Sequence, residues 1–277
     1  MIIVREVPAS RALSKSGLPE LDYSLNPYLG CLHACRYCFA VDMTSDKDAR
    51  ENWGHSVVVR SNIVEVLRRE MSRMPRGIVG MSTITDPYQA VEGRYRLSRE
   101  SLAVLLQNGF RVTIQTKSPL VRRDVDILSS HRSTCDVGMT ITSLSGDKSA
   151  VIEPGAPSPA SRVRALEELS SEKIRTWIFY GPIIRGFNDD RETAESIMEI
   201  AVSTGSRVIF DRFSPYRTAM IMMRESGFPV ESLRSGMSWW KSVSGMIGEE
   251  ALRKSVRINS QNEEYMNTPM SGQSRLF

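Results

Sequence analysis

The chain has 277 residues, 41% of them hydrophobic and 25% charged, proportions of a folded globular protein that exclude wholesale disorder and collagen-like or fibrous classes. Lysine and arginine outnumber aspartate and glutamate by 36 to 32, and the resulting charge of +4 permits an anionic partner without requiring one. No window approaches the ~18 uninterrupted apolar residues of a membrane helix, and the run from Met1 to Val4 is cut by Arg5 and Glu6, too short for a secretory core; a cytoplasmic location is expected.

Residues 1–20 carry no clear period and read as an N-terminal extension. A barrel region is expected over 21–217, opening with a weak strand over 23–27 and a helix over 61–72. Strands are predicted over 77–85, 110–117, 136–142, 173–180 and 207–213, with helices over 98–108, 121–130, 159–171 and 189–203 between them. This alternation is the pattern of βαβ units around a parallel sheet. A helical region follows over 218–253, its main stretch at 230–253 carrying Trp239 and Trp240, and 254–277 reads as a flexible tail. Along the third strand Thr113, Gln115 and Lys117 share one face and Val112 and Ile114 the other. In the fourth, Gly138, Thr140 and Thr142 oppose Met139 and Ile141. Polar residues gathering toward strand C-terminal ends suggest a barrel interior opening onto a ligand site; an antiparallel sheet with one wet face is the alternative.

Cys31, Cys35 and Cys38 lie within eight residues, while Cys135 stands alone and reads as a small buried hydrophobe. Three thiolates spaced C-x3-C-x2-C can wrap three irons of a [4Fe-4S] cube and leave the fourth iron open to a small molecule. The competing reading is a non-catalytic binding module stabilised by zinc, with His33, His55 or Cys135 as the fourth ligand. Zinc motifs favour paired C-x2-C knuckles, and neither a second knuckle nor a His pair occurs here.

The run Asn26-Pro-Tyr-Leu-Gly-Cys31-Leu-His-Ala-Cys35-Arg-Tyr-Cys38 resembles the signature of the radical S-adenosylmethionine (SAM) superfamily, C-x3-C-x-aromatic-C, with Tyr37 in the aromatic slot. Within that superfamily the chain is similar, over about 22–215, to the spore photoproduct lyase-like proteins, also labelled DNA repair photolyase-related. The supporting segments are Thr85-Asp-Pro-Tyr-Gln-Ala-Val-Glu92, Gln115-Thr-Lys-Ser118, Glu153-Pro-Gly-Ala-Pro-Ser-Pro159 and Pro182-Ile-Ile-Arg-Gly-Phe-Asn-Asp189.

The resemblance implies an α/β fold of the partial (β/α)6 TIM type, a [4Fe-4S] cluster on the three cysteines, bound SAM, and an external electron donor of the flavodoxin or ferredoxin type. It further implies reductive cleavage of the SAM C5′–S bond and hydrogen abstraction from substrate by the 5′-deoxyadenosyl radical. Lys117 is the expected partner of the SAM carboxylate. Thr85 falls where the superfamily contacts the SAM amine; Asp86 either orients that amine or caps a turn with Pro87. Thr142 is positioned for the ribose or methionyl part and Tyr37 for the adenine. Ile184-Arg-Gly186 resembles the adenine-supporting stretch, with Pro182 and Asp189 where glycine and glutamate are more usual.

True spore photoproduct lyases carry a further cysteine just after strand two, which returns hydrogen to the repaired base. Thr83 stands there in this chain, and its hydroxyl hydrogen is bound too strongly to replace a thiol, so repair by that route is not expected. The substrate is therefore unidentified, with nucleic acid favoured and a protein, peptide or metabolite as the alternative. Arginines number 29 against seven lysines, and Arg94, Arg96, Arg99, Arg122 and Arg123 are candidates to track phosphates. The final residues, Gln273, Ser274, Arg275, Leu276 and Phe277, resemble the Q-x-x-L-F peptides with which DNA-processing proteins hook onto sliding clamps. Met139, Met198, Met220, Met222 and Met223 read as filler.

Overall fold

A computed structural model describes residues 1–260. Among these, the strands in chain order are β1 (Ile3–Val7), β2 (Leu13–Lys15), β3 (Tyr23–Leu25), β4 (Tyr28–Leu29), β5 (Ser56–Arg60), β6 (Ile78–Met81), β7 (Arg111–Thr116), β8 (Cys135–Thr140), β9 (Thr176–Ile183), β10 (Arg207–Arg212) and β11 (Ile258–Ser260). The larger of two sheets runs β11-β10-β9-β8-β7-β6-β3-β2. Every neighbouring pair from β3 to β11 is parallel, and only β2 joins antiparallel. Six of these strands, β3 and β6 to β10, are the six expected from periodicity, and with the helices that cross between them they make a partial (β/α)6 barrel. Among the described residues no helix is long and apolar enough to cross a membrane.

Local backbone geometry moves several boundaries. β6 ends at Met81 rather than residue 85, because Ser82 turns to φ +61 and leaves the extended region; Thr83 to Asp86 thereby become a loop. Lys173 at φ +57 delays β9, which then runs to Ile183. The helix predicted from Ser98 starts at Leu97 after Arg96 at φ +55, and the Ser98 hydroxyl donates to the Pro87 carbonyl at 2.5 Å. The long helix expected over 230–253 divides into Val230–Leu233 and Met237–Arg253, and a helix over Arg217–Glu225 precedes it.

Both segments without a period carry strands. β1 pairs in parallel with β5, from Ile3 beside Ser56 to Val7 beside Arg60, and β11 extends the large sheet against β10, so residues 258–260 are not a free tail. β1 is almost wholly solvent-facing, which leaves no apolar alternation to read. β5, the run Ser-Val-Val-Val-Arg, is buried between β1 and β4. Its antiparallel pairing with β4, Tyr28 beside Val59 and Leu29 beside Val58, fixes the root of the cysteine loop. Gly30 turns the chain out of that pairing at φ +82, where a Cβ would stand 2.5 Å from the Ser56 carbonyl oxygen.

The apolar core fills the space between sheet and helices; Met139 and Met198 lie in it, and Met220 and Met223 in a second cluster with Ile184 and Phe187. Each such side chain contributes roughly 1.5–3 kcal/mol by leaving water. The core is what holds the strand ends, and so the loops on them, in register.

Candidate active site

Cys31, Cys35 and Cys38 line one cavity of about 300 Å³ in the barrel interior, together with Tyr37, Thr85, Asp86 and Lys117. Strand alternation supplies its walls: Thr113 and Gln115 of β7 and Thr140 of β8 face it, while Val112 and Ile114 are turned into the apolar core. The mouth lies at the C-terminal ends of the parallel strands, where barrels carry their functional loops.

The segment Thr85 to Glu92 is a set of fasteners. Thr85 Oγ1 donates to the Gly30 carbonyl at 2.6 Å and accepts from Gln89, whose amide also donates to Gly30 and accepts from the Leu32 N–H at 2.9 Å. Asp86 accepts from the Tyr88 N–H at 2.9 Å, the Thr116 hydroxyl at 2.7 Å and the Lys117 N–H at 2.9 Å, and lies 3.2 Å from His33 Nδ1. It caps its own turn and at the same time ties the cysteine loop to the end of β7. Burial alone would raise its pKa, but the His33 ring and the hydrogen bonds from Thr116 and Lys117 outweigh burial and hold it at about 2. Glu92 accepts from Tyr28, Ser98 and Arg99 and pairs with Arg123 at 2.6 Å.

On the opposite shoulder sits a cluster that sequence reasoning missed. Glu153, 2% exposed, accepts from the Tyr37 hydroxyl, from Thr142 Oγ1 at 2.8 Å and from Ser149 Oγ at 2.9 Å. It is ion-paired at 2.5 Å with Arg162, itself fully buried and donating to the carbonyls of Pro157 and Thr140. Burial raises the Glu153 pKa, but Arg162 and then Lys117 outweigh it and hold the carboxyl at about 2. Lys117 Nζ stands 5.4 Å from the centroid of the Tyr37 ring. Burial disfavours its charge, yet the nearby Cys35 and Glu153 win and its pKa is raised. The available signal was the Glu153-Pro-Gly-Ala-Pro-Ser-Pro159 segment, whose carboxylate and following arginine flank a helix start.

The cysteines are free thiols. Burial pushes Cys35 up to about 12 against the opposing pull of Lys117, and Cys31 and Cys38 are raised for the same first reason, so the thiolate form needs a bound cation to compensate it. Among the described residues no three His, Cys, Asp or Glu side chains converge closely enough to hold a single metal ion. Three thiols from one loop lining one cavity are the donor set with which an iron–sulfur cluster is gripped at separate corners. Cys135 is remote, its thiol donating to the carbonyls of Leu128 and His131, and His33 is engaged by Asp86.

Three expected site residues fall outside the cavity lining. Thr142 is fully buried past the end of β8, and its hydroxyl is used by Glu153 and the Gly181 carbonyl. Ile184 lies in the second apolar cluster, and Gly186 is exposed at φ +76 with its N–H on Asp189. Asn188 staples this loop, accepting from the Ile184 N–H at 2.7 Å and donating to the Thr142 carbonyl at 2.8 Å. Among the suggested phosphate-tracking arginines, Arg99 pairs with Asp124 and Asp126, Arg123 with Glu92 and Asp124, and Arg122 with Glu168, while Arg94 lies over Tyr95. Gln273 to Phe277 lie outside the described residues.

The chain is a partial parallel α/β barrel with three thiols on a loop at its C-terminal mouth, where such barrels carry their active sites. The sequence profile of the Radical SAM superfamily matches residues 25–197, and the chain belongs to that superfamily: it is a radical SAM enzyme. It is 32% identical over 183 residues to an uncharacterized protein of Methanocaldococcus jannaschii, covering 66% of this chain and 68% of that protein. It is 30% identical over 215 residues to an uncharacterized protein of Mycobacterium tuberculosis, covering 74% of this chain and 63% of the relative. In fold it is similar to spore photoproduct lyase complexed with dinucleoside spore photoproduct, with a TM-score of 0.72 at 13% identity over 93% of this chain and 81% of that one. Streptococcus suis SuiB bound to S-adenosylmethionine gives a TM-score of 0.60 at 11% identity, over 86% of this chain and 49% of that one.

Proposed function

We propose that Cys31, Cys35 and Cys38 hold a [4Fe-4S] cluster with one open iron, and that the chain binds SAM beside it and takes hydrogen from a nucleic acid. The observation that carries this reading is the convergence of three thiols and one lysine on a single interior cavity. When bound, cluster and SAM together supply a one-electron cleavage of the C5′–S bond and with it a carbon-centred hydrogen abstractor. Lys117 offers its ammonium to the SAM carboxylate, and the Tyr37 ring offers apolar area to the adenine. Thr85 and Asp86 act by holding the cysteine loop, since their oxygens are already engaged there. Thr142 acts through Glu153, and Ile184 and Gly186 through the shape of the loop after β9. An external flavodoxin- or ferredoxin-type protein is the electron source.

Nucleic acid is favoured by a second cavity of about 1180 Å³ between the β2–β3 connection and the helix Ile63–Glu70. Arg11, Lys15, Arg68, Arg69 and Arg73 line it, and among the described residues none of them makes an ion pair. Its two acids are occupied, Glu70 by the N–H groups of Ala12 and Leu13 and Asp22 by that of Ile78. Such a surface suits a phosphate chain. Thr83 lines the first cavity where the lyases carry cysteine, so repair of spore photoproduct by cysteine hydrogen return is not proposed.

Anaerobic reconstitution tests the reading. Brown protein with about four irons that converts SAM to 5′-deoxyadenosine is expected, and Cys35→Ala is expected to abolish both colour and cleavage. Cleavage retained in that variant, or colourless protein with one zinc, would sink it. Deuterium transferred into 5′-deoxyadenosine from a labelled oligonucleotide, and not from a labelled peptide, is the expected substrate result.

A further inference from the structure

Glu153 and Arg162 form a buried ion pair whose packing value alone does not account for it. Taking two charges out of water costs several kcal/mol each, and a well-packed apolar pair of similar volume is often as stable or more so. What the pair does accomplish is positional. Arg162 is immobilised by two carbonyls, Glu153 is immobilised by Arg162, and Tyr37 is immobilised by its hydroxyl on Glu153. The Tyr37 ring, set between Cys35 and Cys38 in the sequence, in turn carries the Lys117 ammonium on its face.

The charge arithmetic matters as much as the geometry. Arg162 and Lys117 bring two positive charges, and Glu153 brings one negative. The carboxylate touches Arg162 and three hydroxyls directly and acts on Lys117 only through space, so Lys117 has no contact ion pair among the described residues. One ammonium without a contact ion pair therefore lines the cavity, held beside the Tyr37 ring. Had Glu153 paired with Lys117 directly, that charge would be cancelled before any ligand arrived.

We propose that Glu153, locked by Arg162, is a positioning residue that acts through Tyr37 and Lys117 to hold an ammonium ready for the carboxylate of SAM. The inference rests on the reading of the site as a cluster and SAM site. It assigns the Glu153-Pro-Gly-Ala-Pro-Ser-Pro159 segment and the arginine that follows it a role in cofactor affinity instead of in folding alone.

The test compares SAM with decarboxylated SAM, binding being followed by equilibrium dialysis on the iron-loaded, anaerobic protein. The wild type is expected to prefer SAM, and that preference is expected to fall about tenfold in Glu153→Gln and in Lys117→Met, the scale of one charge-assisted contact. Affinity for the decarboxylated compound should stay near wild type, which a merely structural lesion would not allow. Tyr37→Phe, which removes only the link between ring and carboxylate, should shift the preference in the same direction by less. An iron-loaded Glu153→Gln protein with wild-type preference would overturn the proposal, as would loss of affinity for both compounds alike. If Glu153→Gln does not fold, an unchanged preference in Tyr37→Phe overturns it. Wild-type protein that loads no iron or binds no SAM would instead defeat the site reading on which the inference rests.

Discussion

Two buried carboxylates flank the cysteine loop, one on each shoulder, and they are stabilised in opposite ways. Asp86 sits at the head of a loop and is satisfied by N–H groups, a hydroxyl and an imidazole, all short-range donors. Glu153 is satisfied by three hydroxyls and a permanent guanidinium from the following helix. Both are held ionised, at about 2, against the effect of burial. The difference teaches what each shoulder is for. Hydrogen bonds at Asp86 tie three stretches of backbone together and fix loop shape. The guanidinium at Glu153 takes the contact ion pair, and so leaves the Lys117 ammonium on the cavity wall without one.

The comparison is broken most severely on the Glu153 side. Arg162→Leu leaves a carboxylate buried without its counter-ion and is expected to cost about 3–5 kcal/mol, measured by urea unfolding; a loss below about 1 kcal/mol would mean that Glu153 is not held by Arg162. Asp86→Asn keeps one acceptor oxygen and is expected to cost less, about 1–3 kcal/mol. An equal or larger loss there would reverse the ranking of the two shoulders.

Acid titration sharpens the same contrast with the smallest effect. Both carboxylates have folded values below their ordinary 3.8 and 4.5, so the folded state binds fewer protons than the unfolded chain. The stability they add is complete above those ordinary values and is lost as pH falls toward about 2. Between pH 7 and pH 4 the two together should lose only about 1 kcal/mol, with the remainder lost below. Unfolding followed at pH 7, 4 and 3 checks this. The added loss should diminish in Asp86→Asn, where one of the two titrating groups is gone.

The repeats of two and of 3.6 residues, and the spacing of three cysteines, were enough to find the six parallel strands, the helices between them and the cysteine loop that lines the cavity. They are local properties: a strand or helix must turn one face to the core, and the sequence records that face directly. The polar stripe of Thr113, Gln115 and Lys117 belongs to the same class, and all three line the cavity. Tertiary structure alone decided the rest. β1 finds its partner β5 more than fifty residues away through backbone hydrogen bonds, which leave no mark on side-chain pattern when the strand is exposed. Strand parity aims Thr142 inward with Gly138 and Thr140, yet β8 ends at Thr140 and the Thr142 hydroxyl goes to Glu153. The Glu153–Arg162 pair was invisible for the complementary reason: charged residues beside a helix start read as a solvated surface, and only the packing of that helix against β8 and β9 takes both out of water.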